Sequence, residues 1–216
     1  MQETSEDKEA VPAKNAVAVN TDANISEEDQ ARGGVYAILG AVLARPCNEE
    51  IRALIASIAT DDAPTSDALP WAQLKTELAG SDLSELSQEY HDLFIGLGRG
   101  ELLPYGSVYL TGFLQEKPLA ELRTDLKGLG FETREGTHEP EDHAGALCEV
   151  MSIMSAASNE FTHDTQKAFF EQHLGSWMTA FFDDLIKARD SGFYRAVGEF
   201  GKAFIRIEKQ YFDMEV

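Results

Sequence analysis

Cysteine is scarce in this chain: two in 216 residues, Cys47 and Cys148, far apart and with no CxxC pair. That excludes a disulfide scaffold and a zinc ribbon and fits a reducing compartment. Positive charge is scarce as well. Eighteen Lys and Arg face 38 Asp and Glu, for a formal net charge of −20. Such a balance repels nucleic acid and anionic lipid and favours a basic partner. No apolar run approaches the roughly 18 residues that a membrane span needs. The acidic N-terminus has no continuous apolar stretch of the secretory type. The expectation is a cytoplasmic protein with no nucleic-acid partner and no membrane insertion. No segment alternates convincingly with period two, so strands are not expected either.

What is present is helical periodicity. Residues 1–25 show none and read as a disordered acidic tail, leaving 26–216 as one all-α domain of about eight to ten helices. Ser26 with Glu27, Glu28 and Asp29 forms a helix start. Val35, Ile38, Leu39, Val42 and Leu43 mark its buried face, and Arg45-Pro46 ends it. Shorter helices follow through Ile51 to Ile58 and Trp71 to Leu78, separated by a loop over Asp61–Pro70. A stronger one runs from Asp82 to Ile95, carrying Leu83, Leu86, Tyr90, Leu93 and Phe94, and Gly96, Gly98 and Gly100 break it. Those glycines lack the GxxxxGK[ST] pattern and a preceding strand, so helix termination explains them better than a phosphate loop. Pro118 opens a helix through Leu119, Leu122 and Leu126. Phe170, Leu174, Trp177, Phe181 and Leu185 mark one long helix. Phe193, Val197, Phe200, Phe204, Ile207 and Tyr211 form the core stripe of the last.

Two segments stand apart. Pro104-Tyr105-Gly106-Ser107-Val108-Tyr109-Leu110 is a stiff aromatic turn, and Glu139-Pro140-Glu141-Asp142-His143 opens an amphipathic stretch through Leu147, Val150, Met151 and Met154. Proline in a first helical turn costs no hydrogen bond, and acids there suit the helix dipole. The spacing therefore predicts a helix from about Glu139 to Ser158, with Asp142 and His143 near the surface at its mouth. Capping alone accounts for such residues; so does a mouth in which Asp142 accepts a guanidinium or amine and His143 donates to a partner's backbone. A metal site at His138, Glu139, Asp142 and His143 is disfavoured, because the spacing is not HExxH and no further ligand cluster accompanies it. Ser107 with His143 lacks the GxSxG elbow of a hydrolase.

In this order and at this separation, these segments resemble the TorD/DmsD/NarJ family of chaperones for molybdenum-containing redox enzymes. The family's Glu-Pro-x-Asp-His box is met by Glu139, Pro140, Asp142 and His143, and its Pro-aromatic segment by Pro104 to Leu110. An aromatic-x-x-Leu-Phe helix end is met by Tyr90, Leu93 and Phe94, and a Gly-Phe-Tyr start by Gly192, Phe193 and Tyr194. The resemblance implies a TorD-like helical fold and a non-catalytic role. Its partners would be the twin-arginine signal peptide and the apo catalytic subunit of a molybdopterin oxidoreductase. It places the client-binding surface at Tyr90, Leu93, Phe94, Pro104, Tyr105, Ser107, Tyr109, Glu139, Asp142 and His143. Weak GTP binding is attached to the family, although no phosphate loop is recognisable, and no cofactor is otherwise expected. A generic helical interaction module with an acidic surface is the alternative. The chain is expected as a monomer or a helix-swapped dimer, with the Asp125–His138 connection as hinge.

Overall fold

The computed structural model describes residues 25–58, 68–96, 100–132, 139–189 and 192–214. Residues 1–24 of the acidic tail, 61–67 of the Asp61–Pro70 loop, 97–99, 133–138 of the hinge segment and 191 lie outside them. Among the described residues there are ten α-helices and no strand: α1 (Glu27–Ala44), α2 (Glu49–Ser57), α3 (Trp71–Gly80), α4 (Leu83–Tyr90), α5 (Gly106–Thr111), α6 (Lys117–Gly128), α7 (Ala144–Ala156), α8 (His163–Phe170), α9 (Met178–Lys187) and α10 (Phe193–Asp213). The start expected at the Ser26 cap is met, and the helix expected from Asp82 proves to be capped as well. Ser26 Oγ accepts the Asp29 N–H at 3.0 Å, and Asp82 and Glu85 form a reciprocal capping box.

The most extensive helix pairing is α1 with α7, and α10 packs on α9 and α3. Glycine makes the first pairing possible. A Cβ on Gly40 would stand 3.2 Å from the Gly145 carbonyl oxygen, and one on Gly145 would stand 3.0 Å from the Ala44 nitrogen. Backbone therefore meets backbone along this seam.

Three expectations need correction. The helix after the Glu-Pro-Glu-Asp-His box starts at Ala144, not Glu139, and ends at Ala156; His143 is its N-cap. The long helix expected through Phe170 and Leu185 is broken. After α8 a π-turn at Glu171–Gly175 inserts an extra residue, and α9 begins at Met178. The Trp177 indole N–H bonds the His173 carbonyl at 2.7 Å and holds the break. On α10 the buried stripe runs through Ile205, Glu208 and Phe212 in its second half, while Ile207 and Tyr211 are half-buried. The cause is electrostatic. Arg32 donates to both oxygens of Glu208, from Nε at 2.8 Å and Nη2 at 2.9 Å. The Tyr36 hydroxyl adds a third bond to Glu208 at 2.8 Å.

Candidate functional site

Helix α4 also passes into a π-turn, at His91–Ile95. Such turns release carbonyls from the helical ladder, and two of these are used at once. The Leu93 carbonyl accepts the Leu102 N–H at 2.8 Å, and that of Asp92 accepts the Glu101 N–H at 3.3 Å. The chain is thus led alongside the helix end and delivered to Pro104.

There it meets the box. The Ala144 N–H bonds the Pro104 carbonyl at 2.8 Å and the Gly106 N–H bonds the Asp142 carbonyl at 2.9 Å. Tyr105 and His143 form an isolated antiparallel bridge between them. The Asp142 carboxylate reinforces the clasp from the side, accepting the Ser107 N–H on Oδ2 at 2.7 Å. Asp142 and His143 are buried, contrary to their expected place near the surface. The reason is this pairing: the box makes a turn over Pro140–His143 whose last two residues clasp the Pro104–Ser107 backbone, and its acidic stretch precedes the helix instead of forming its first turn.

The side chains follow from that frame. His143 Nδ1 accepts the Gly145 N–H at 3.1 Å. Burial pulls its imidazole below the ordinary value of 6.5, against the nearby Glu139 and Asp142 charges. The Tyr105 ring meets His143 edge to face at 5.3 Å, and its hydroxyl donates to Glu139. Burial and then the Glu139 carboxylate push the Tyr105 hydroxyl well up, so it remains a donor. Ser107 Oγ and Asp142 Oδ1 are buried and have no hydrogen-bonding partner among the described residues. Asp142 also walls a small cavity of about 70 Å³ with Gly106, Leu110, Leu122, His173 and Trp177.

The aromatic residues expected at the site divide. Tyr90 and Leu93 are core residues. The Tyr90 ring lies 5.0 Å from Phe94 and 5.9 Å from Tyr194, and its hydroxyl reaches the Leu43 carbonyl at 3.3 Å. Burial, with Glu139 nearby, raises that hydroxyl to about 12. Phe94 is half-buried behind the clasp. Tyr109 faces the other way, stacked on Trp177 at 5.4 Å with its hydroxyl 3.2 Å from Asp184. Pro104, Tyr105, Ser107, Glu139, Asp142 and His143 are brought together; Tyr90, Leu93 and Phe94 form a layer behind them, and Tyr109 belongs to the α5–α9 contact.

A groove of about 690 Å³ opens beside the clasp, between α6 and α7. Leu126, Phe131, Val150 and Ile153 supply its apolar lining, and Glu132, Glu139, Glu141 and Glu149 its carboxylates. Arg123 and Lys127 lie on the same wall. Of the residues expected to bind, only Glu139 lines this groove. Sequence reasoning missed the rest. Ile153, which stays 46% exposed, was the available signal: with Ala146 and Val150 it widens the apolar face of α7 beyond the Leu147–Met151–Met154 stripe that the core uses.

The chain is similar to known proteins. Residues 60–183 match the nitrate reductase delta subunit family. The chain is 26% identical over 182 residues to a chaperone protein TorD of Vibrio cholerae serotype O1 (strain ATCC 39541 / Classical Ogawa 395 / O395), covering 79% of this chain and 83% of that protein. It is 29% identical over 174 residues to a chaperone protein TorD of Vibrio vulnificus (strain CMCP6), covering 75% and 81%. Its fold is shared with a crystal structure from Archaeoglobus fulgidus described as a redox enzyme maturation protein. The TM-score there is 0.53 at 17% identity, over 85% of this chain and 95% of that one. With the family match spanning more than half of its length, and the box clasped to the Pro-aromatic segment in the fold, the chain belongs to the nitrate reductase delta subunit family, the TorD/DmsD/NarJ family that its sequence resembles.

Proposed function

We propose that this protein is a maturation chaperone for a molybdopterin oxidoreductase. It holds the twin-arginine signal peptide, and with it the apo catalytic subunit, in the cytoplasm until the cofactor is in place and the enzyme has folded. Its activity is binding, without a catalysed reaction. The naming of its relatives as TorD chaperones supports the role.

The observation that carries the leader-binding reading is the groove between α6 and α7. Twin-arginine leaders join a pair of guanidinium groups to an apolar run. The groove sets four glutamates around an apolar floor. Guanidinium and carboxylate pair as two matched forks, stronger than neutral hydrogen bonds, and an apolar helix laid in a groove buries its side chains against the floor. In this reading Glu139 meets the leader directly and Tyr105 orients it. Asp142, His143, Ser107 and Pro104 hold Glu139 and Glu141 in place through the clasp, and Asp142 offers its remaining oxygen to a cation that reaches the small cavity. Tyr90, Leu93, Phe94 and Tyr109 support the site from behind.

The test is a calorimetric titration of wild type and Glu139→Gln/Glu141→Gln against synthetic leaders, each also made with lysine in place of the arginine pair. A leader bound by wild type and weakened about tenfold or more by either change, roughly the loss of one good charged contact, supports the reading. Equal affinity for arginine and lysine leaders would point instead to a generic acidic interaction module. Absence of binding to every leader would end the leader-binding proposal.

A further inference from the structure

Helix α6 is surrounded by open space on three sides. It gives Arg123, Leu126 and Lys127 to the 690 Å³ groove, and Thr124, Asp125, Gly128 and Leu129 to a second cavity of about 510 Å³. Glu121 and Leu122 go to the small cavity beside Asp142. Its buried contact is a narrow line of three leucines, Leu119, Leu122 and Leu126. Two polar ties brace that line. Asp125 Oδ2 meets His173 Nε2 at 2.8 Å. On the groove side, Arg123 Nε and Nη2 reach Glu141 Oε2 at 2.9 and 2.8 Å.

The ends of α6 are turns that use the left-handed region. Gly112 and Gln115 precede it with φ of 84° and 59°, and Gly130 follows it with φ of 84°. A glutamine in that region is an uncommon conformation that its surroundings must hold.

The composition of α6 gives this arrangement its meaning. Arg123 and Lys127 stand one turn apart on the groove wall, with Leu126 beside them. Two cations with an apolar neighbour are what the groove is read as recognising. Arg123 already makes the guanidinium–carboxylate contact, and it does so with Glu141, a residue of the box.

We propose that α6 is an internal stand-in for the client: Arg123 occupies Glu141 until a client guanidinium takes its place, and α6 shifts as the client seats. This rests on the reading of the groove as a site for a cationic, apolar segment. The exchange is physically easy. Arg123 is 56% exposed at its side chain and Glu141 19%, and ion pairs open to solvent on one side are weak and readily traded. The latch also sets a threshold. A lone lysine offers one point of charge where Arg123 holds two contacts, whereas an incoming arginine replaces them in kind.

The test compares wild type, Arg123→Ala and Arg123→Lys. The probe is a synthetic peptide with an Arg-Arg pair followed by an alanine/leucine run, alongside its Lys-Lys counterpart. Affinity is read by calorimetry, and hydrogen exchange is followed in α6 and α7. Removing the latch should tighten the Arg-Arg peptide by about two- to fivefold, with Arg123→Lys in between. In Arg123→Ala the α6 amides should exchange faster while those of α7 do not change, and the peptide should accelerate α6 exchange in wild type. Unchanged or weaker affinity in Arg123→Ala, or a peptide that slows α6 exchange, overturns the proposal. If no variant binds the peptide and α6 still loosens in Arg123→Ala, the latch stands and the client reading falls. If none binds and α6 exchange is unaltered, both fall.

Discussion

Asp142 and Ser107 are 35 positions apart in sequence and are joined by a 2.7 Å bond from the Ser107 N–H to Asp142 Oδ2. A side chain of the box thus completes the hydrogen bonding at the start of α5, where a first-turn N–H has no helical partner. Asp142→Ala should leave that buried N–H unpaired and cost about 1–3 kcal/mol, read as a lower urea midpoint. Asp142→Asn keeps an acceptor in place and should cost less. Binding studies of Asp142 variants therefore need the stability measurement beside them.

His143 predicts a pH dependence. Its folded-state value lies below the ordinary 6.5, with burial the leading cause. The unfolded chain then binds the proton more readily than the folded one. Stability from this group is present above 6.5 and lost as pH falls through that value toward the depressed one. Wild type should lose urea resistance between about pH 7.5 and pH 5.5, and His143→Gln should show a flatter profile over the same range. Parallel profiles for the two proteins would count against the assignment.

The Arg32–Glu208 pair is buried on both sides, with Arg32 6% exposed and Glu208 fully enclosed at 0%. Burial pulls the arginine's proton affinity down, and the Glu208 hydrogen bonds and charge more than reverse it. Arg32 also lies over the Tyr211 ring at 3.8 Å. Glu208→Ala should leave Arg32 Nε and Nη2 and the Tyr36 hydroxyl without their carboxylate, with Asp29 at 2.9 Å and Gln166 at 3.1 Å still holding Nη1, and lower stability by about 3 kcal/mol. The double change Arg32→Met/Glu208→Leu should recover much of that, as thermal melts of the two variants would show.

Gly201→Ala tests the α9–α10 contact. Its Cβ would stand 2.3 Å from the ring of Phe182, which is fully buried. The ring has to move within a filled core, and overpacking of this kind costs about 1–3 kcal/mol. A melting temperature equal to wild type would mean that the core yields there more easily than its packing implies.

The all-helical class and the Ser26 and Asp82 starts were legible because each depends on local periodicity and polar residues at the helix start, and the Gly192-Phe193-Tyr194 start because it matches a motif of the resembled family. The clasp was not, since Pro140 and three acids satisfy the local rules of a first helical turn equally well. The deciding partner, the Pro104–Ser107 backbone, is remote in sequence. Glu208 was hidden for the same reason: a charge on α10 reads as solvent-facing until Arg32 arrives from α1. Both π-turns escaped because the apolar residues that run through them, Tyr90 to Phe94 and Phe170 to Phe181, keep the spacing of an unbroken helix. Within the site, motif residues were found and groove residues were missed. Arg123, Glu149 and Ile153 look like ordinary surface until α6 and α7 are placed side by side.

The glycine seam between α1 and α7 has a mechanical consequence. A carbonyl oxygen would sit 3.2 Å from a methyl added at Gly40, and the side chains that approach this seam, Ala44, Cys148, Ser152 and Ser155, are short and have few rotamers to absorb a displacement. The two helices must travel as a single girder, and the box rides on its end. A load applied at the clasp would thus pass to α1, whereas α6 rests on a line of three leucines and two polar ties. If α6 shifts as proposed, the clasp would be the fixed side of the groove and α6 the side that yields.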